Sequence, residues 1–145
     1  METENIFILK GMEIYPKSNE DWEKEKEIFN LELPNDKKLS LEEYIKFKKG
    51  FGGVHDYVIT DYNHAYFIDE NNAIEAAIDD MGGLNDGGIY DYAAIVEVPC
   101  GVSYPETGEI VSFHLFKYNY AKRIYEELFI GPEYDVCKKY FFVMD

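Results

Sequence analysis

Apolar and polar positions along this chain change period several times, and each change marks an element. Asn5–Leu9 (NIFIL) is a short continuous apolar run, read as a buried strand. Ser18 followed by Asp21 is a capping-box variant that opens a helix to about Asn30, with Trp22 and Phe29 on one face. Pro34–Lys38 is a polar turn. The box Ser40–Glu43 then starts a second helix, with Leu39 and Tyr44 spaced as a hydrophobic staple and Gly50 as the stop. After the break Phe51-Gly52-Gly53, His55–Thr60 and His64–Ile68 predict two strands joined at Asp61-Tyr62-Asn63.

The second half is more regular. Asp69 is a good N-cap, and Ile74, Ala77, Ile78 and Met81 recur at helical spacing until Gly82-Gly83. Leu84–Gly88 is a turn. Tyr90–Val98 predicts a strand whose centre (Ala93, Ala94, Ile95, Val96) is apolar on both faces, hence central in a sheet. Pro105–Gly108 turns the chain into a strand over Ile110–Phe116. Asn119 is placed to cap a helix with Ala121, Ile124, Tyr125 and Leu128 inward and Gly131-Pro132 as its stop, and Val136–Val143 reads as a final strand. The expected class is α+β, with a mixed or antiparallel sheet and helices on one face. Residues 64–144 follow a ferredoxin-like βαββαβ order, and the N-terminal strand, helix and helix form an elaboration on it. At 145 residues the chain is expected to be one domain, 1–145.

Charge alters this picture. The net charge is −15, and no Lys or Arg occurs between Lys49 and Lys117, where twelve carboxylates fall. Residues 1–49 carry −3, residues 117–145 are neutral, and the remaining −12 sits in between. With 46% hydrophobic residues and 24 aromatics, this is no disordered acidic tail. A single Arg (Arg123) against thirteen Lys disfavours guanidinium clamps on phosphate, so direct nucleic-acid binding is not expected. The acidic start and the lack of a long apolar run predict neither a signal peptide nor a membrane span. The expected location is the cytoplasm, with Cys100 and Cys137 reduced.

Candidate chemistry is sparse. Cys100, in Pro99-Cys100-Gly101, would lie within one or two residues of His114 if the Pro105–Gly108 turn closes a hairpin, and a thiol beside an imidazole is a possible nucleophile. His55, Asp61 and His64 lack the tight spacing of a metal site, and solvated hairpin residues are the simpler reading. The Asp79–Gly88 stretch fails the EF-hand pattern at Leu84, and its glycines suit turns. Neither Gly50–Gly53 nor Gly82-Gly83 has a phosphate-cradle spacing. No catalytic residue, metal ligand or cofactor is assigned.

Tyr57, Tyr62, Tyr66, Tyr90 and Tyr92 interleave with aspartates, and that pairing is where a binding surface is expected. The expected function is a non-catalytic acidic binding or inhibitor protein. It would present Asp56, Asp61, Tyr62, Asp69, Glu70, Asp79, Asp80, Asp86, Tyr90 and Asp91 to a partner protein with a basic surface. Nucleic-acid-handling proteins are the natural partners, met by a DNA mimic of phage anti-defence type or a nuclease-toxin immunity protein. The alternative is a small enzyme or ligand-binding domain built on clustered Asp and His or on Cys100 and His114. A third reading has the acidity serve solubility, with an ordinary oligomeric interface elsewhere. The oligomeric state is left open, a homo-oligomer included.

Overall fold

Strand β1 (Asn5–Pro16) organises the sheet. It pairs with β2 (Tyr57–Phe67) on one side and β3 (Tyr92–Pro99) on the other, and β4 (Ser112–Asn119) and β5 (Ile124–Leu128) continue beyond β3. The order is β2-β1-β3-β4-β5, antiparallel throughout. Helices α1 (Asn19–Asn30), α2 (Leu41–Lys49), α3 (Glu70–Ile78) and α4 (Pro132–Phe142) complete an α+β fold. These elements come from a computed structural model, which describes residues 4–50, 55–79, 90–101 and 109–142. The Leu84–Gly88 turn, the Gly82-Gly83 helix stop and the Pro105–Gly108 turn lie outside those residues.

Strand β1 runs seven residues past the apolar run that announces it, because Met12 and Ile14 resume the alternation that Lys10 and Gly11 interrupt. The two short strands read at 55–60 and 64–68 are one strand, β2, whose pairing with β1 continues through Asp61-Tyr62-Asn63. The register slips by one between Leu9 and Lys10, leaving His64 as the bulged residue. The two leading helices are an insert between β1 and β2, closed where the Lys17 N–H donates to the Asp56 carbonyl at 2.9 Å. Both capping boxes form, Ser18 with Asp21 and Ser40 with Glu43. The Asn30 side chain bonds both the N–H and the C=O of Leu39, tying α1 to the start of α2. Tyr44 is buried against Trp22 and Phe29, with its hydroxyl on Glu25.

Strand alternation divides the core in two. Ile8, Met12, Ile14, Tyr92, Ala94, Val96, Val98 and Leu115 point to one face, where α4 covers them with Val136, Cys137 and Phe141. Phe7, Leu9, Ala93, Ile95, Phe116 and Tyr125 point to the other, beneath Ala73, Ala76 and Ala77 of α3. Helices therefore lie on both faces, and the centre of β3 is apolar throughout because each side meets one.

Two elements near the C-terminus depart from the ferredoxin-like order. Asn119 does cap backbone, accepting from the N–H groups of Ala121 and Lys122, but in a tight turn rather than a helix. Arg123 takes φ 58° there and donates its N–H to the Asn119 carbonyl, so the chain folds back and β5 pairs along β4. Ile124, Tyr125 and Leu128 gain a whole strand edge that a lone helix would leave unpaired. The segment read as a final strand is instead α4. Gly131 takes φ 117° before Pro132, Glu133 and Asp135 fill the first turn, and Tyr134, Cys137 and Phe141 recur at helical spacing on the buried side.

Candidate functional site

The base-free stretch acquires a direction from the strand parity. On the α3 side, β1 presents Phe7, Leu9, Gly11 and Glu13, β2 presents Thr60, Tyr62, Ala65 and Phe67, and β4 presents Ser112, His114, Phe116 and Tyr118. No Lys or Arg occupies any of these strand positions or α3 itself. Lys10 and Lys117 alternate to the α4 side, and Lys138 and Lys139 lie on α4. Lys122 and Arg123 occupy the β4–β5 turn, where Lys122 pairs with Glu126 at 3.3 Å. The two faces thus differ in charge, and the α3 face is the anionic one.

Gly11 sets the geometry at the middle of that face. Its backbone is ordinary extended strand, but a Cβ there would come within 2.9 Å of the rings of both Tyr62 and Tyr90. The missing side chain lets these two rings stack over the strand, centroids 4.9 Å apart and 26° from parallel. The hydroxyl of Tyr62 meets His64 Nδ1 at 2.9 Å, and the Tyr90 carbonyl accepts the Tyr125 hydroxyl at 2.7 Å. Burial first, then the neighbouring Tyr62 and Glu13, push the Tyr90 hydroxyl up from its ordinary pKa. Glu13 takes a hydrogen bond from Thr60 at 3.4 Å, and Asp91 accepts the hydroxyl of Tyr120. Tyr118 stands edge-on to both Tyr120 and Tyr125.

The residues singled out in the sequence divide among several places. Tyr62, Tyr90 and Asp91 belong to this tyrosine platform. Glu70 is the first residue of α3, and Asp69 and Asp79 flank it: Asp69 caps its N-terminus by accepting from the Asn72 N–H, and Asp79 closes its C-terminus. Asp56 lies apart, 3.8 Å from Lys49 and beside α4. Asp61 projects to the α4 face, where its carboxylate is held by Lys10 at 2.9 Å and by the Tyr140 hydroxyl at 2.9 Å. Strand parity separates it from its neighbour Tyr62. Asp80 and Asp86 lie outside the described residues. Glu13, Gly11, Tyr118 and Tyr120 carry no site signal in the sequence, because Gly11 and Glu13 lie beyond the Asn5–Leu9 run that announces β1; a glycine inside the full strand is the signal of a close approach.

Neither candidate for chemistry is assembled. Ile95, not Cys100, pairs with His114, so Cys100 lies five strand positions away, about 17 Å along the ladder. His114 instead bridges two carboxylates, Glu127 at 2.7 Å from Nδ1 and Glu70 at 3.5 Å from Nε2. Asp61 is taken by Lys10 and Tyr140 and His64 by Tyr62. His55 precedes β2, nine residues before His64. Among the described residues, no three His, Cys, Asp or Glu side chains are grouped as a metal site. On the α4 face, burial and then Glu133 push Tyr92 up to about 12, and burial, Glu133 and Asp61 push Cys137 up to about 12. Both shifts move away from neutrality, the opposite of what acid–base catalysis near pH 7 requires. A depression of about 360 Å³ over Lys117–Tyr120, Glu126 and Leu128 adjoins the platform without enclosing it.

No known protein family, curated protein or solved structure matches the chain. Among the described residues, no helix is long and apolar enough to cross a membrane.

Proposed function

We propose that this protein is a non-catalytic acidic binding protein that applies its α3 face to a basic surface of a partner protein. The observation that carries this reading is the segregation of charge by face. Glu13 of the sheet, Asp91 beside it and Asp69, Glu70, Glu75 and Asp79 of α3 and its ends lie on a side whose strand and helix positions bear no Lys or Arg. The strand lysines Lys10 and Lys117 alternate to the opposite side, and Lys138 and Lys139 lie on α4. A fixed anionic field of this kind steers cationic surfaces toward it and turns nucleic acid away. Tyrosine adds contact area at low cost in side-chain entropy.

A groove evolved to bind phosphates is the most natural basic partner, because carboxylates mounted on a rigid sheet can stand in for phosphates and occupy it. The biological settings that fit are inhibition of a nucleic-acid-handling enzyme, by a phage anti-defence protein or by an immunity protein against a nuclease toxin. A cytoplasmic location, with Cys100 and Cys137 as free thiols, accords with that role.

The test is affinity for a basic, sequence-nonspecific nuclease measured between about 50 and 200 mM NaCl. Affinity is expected to fall steeply over that range and to survive Cys100→Ala. Binding that does not respond to salt would overturn the proposal.

A further inference from the structure

We propose that the Tyr62–Tyr90 stack seats an arginine side chain of the basic partner. This inference rests on the acidic-face reading and specifies which cation that face selects. Glu13 and Asp91, which flank the platform, attract lysine and arginine alike, so charge alone does not choose between them. Aromatic rings do. A guanidinium is planar and weakly hydrated, it stacks on a tyrosine face, and its fork can bond a carboxylate at the same time. An ammonium is a compact, strongly hydrated point charge and does this less well.

The rings are already in place for such a guest. Gly11 gives them room, their planes lie 26° apart, and Tyr62 is fixed at its hydroxyl by His64 and Tyr90 at its carbonyl by Tyr125. Little ordering is left to be done on binding. Tyr62 keeps 42% of its surface exposed. The chain uses other aromatic rings as cation seats internally, with Lys17 over Trp22 at 4.3 Å and Lys117 over Tyr92 at 5.8 Å. Among the described residues, no Lys or Arg sits over Tyr62 or pairs with Glu13 or Asp91.

The experiment titrates the protein into fluorescent oligoarginine and oligolysine peptides of equal length and charge, reading anisotropy across NaCl concentrations. Both peptides are expected to bind in a salt-dependent way, with oligoarginine tighter by about three- to fivefold. That advantage is expected to vanish in Tyr62→Leu. It should persist in Tyr62→Phe, which keeps the ring, and in Tyr66→Leu, which alters the strand position paired with Ile8 on the α4 side. Thermal unfolding of each variant establishes that it is folded. Equal, salt-dependent affinities, or an arginine advantage that survives Tyr62→Leu, overturn the arginine seat and leave the acidic face standing. Failure of both peptides to bind overturns the acidic face itself.

Discussion

Gly11→Ala probes the platform by adding one methyl group. The backbone at Gly11 suits any residue, so the effect must come from space: the new Cβ would lie 2.9 Å from Tyr62 Cε1 and from Tyr90 Cδ2 and Cγ. Because Cγ is the root of the Tyr90 ring, that ring cannot clear the methyl by turning about its own axis. Inserting a methylene into packed surroundings costs about 1–3 kcal/mol, and separating an aromatic pair costs a further ~0.5–1.5 kcal/mol. Removing a glycine from a strand returns about 0.5–1 kcal/mol. The net expectation is a loss of about 2 kcal/mol, or roughly 5 °C in Tm for a domain of this size. Urea unfolding supplies the stability, and near-ultraviolet circular dichroism reports the tyrosine stack. In the Tyr90→Ala background the same substitution is expected to cost less, since two of the three 2.9 Å contacts have gone and the remaining one is to the far edge of the Tyr62 ring. Wild-type or higher stability with an unchanged tyrosine spectrum would refute the reasoning.

Lys10 is 9% exposed and gives Asp61 its ammonium, so Lys10→Met is expected to cost about 3 kcal/mol by stranding that carboxylate. Adding Asp61→Leu should regain more than half of this; strictly additive losses in urea unfolding would count against a coupled pair. Cys100 is exposed and Cys137 buried, so a thiol reagent at pH 8 should modify one cysteine at once and the second only on unfolding. Two equally fast thiols would contradict the placement of α4. Burial alone would raise the Glu25 pKa, but the Lys17 ammonium and the Tyr44 hydroxyl outweigh it and hold the carboxyl below its ordinary value. The Ser40 N–H and then its hydroxyl hold Glu43 low as well. A folded pKa below the unfolded one contributes stability that is present above the ordinary carboxylate range, about 4.3, and lost as pH falls through the folded value. Helical ellipticity from α1 and α2 should therefore decline as pH falls below the ordinary carboxylate range, and Glu43→Gln should blunt the decline. A flat profile in both proteins would contradict it.

Elements governed by local chemistry could be read from the sequence. Ser18, Ser40 and Asp69 cap the helices they announce, and β3 is central, as its uniformly apolar middle requires. What could not be read depends on pairing. Asn119 signals the start of either a helix or a turn, and only the free edge of β4 selects the turn and makes 124–128 a strand. Tyr140-Phe141-Phe142 hides the helical period of α4 because adjacent aromatics satisfy both templates. The site shows the same division. Tyr62, Tyr90 and Asp91 stand out as interleaved tyrosine and aspartate, but Gly11 and Glu13 reach the platform through a strand pairing that spans some fifty residues of chain. Asp61 fails as a surface residue for the same reason, since its parity in β2 points it at Lys10.

The most direct test of an anionic face that occupies a nucleic-acid groove is competition. A basic nuclease is mixed with labelled duplex DNA and this protein, in wild-type form or with charge reversed on one face. Wild-type protein is expected to displace the DNA. Asp79→Lys with Asp91→Lys on the α3 side should abolish displacement, whereas Asp135→Lys on α4 should leave it intact. A ternary complex of nuclease, DNA and protein, or equal effects of reversal on both faces, would contradict the claim.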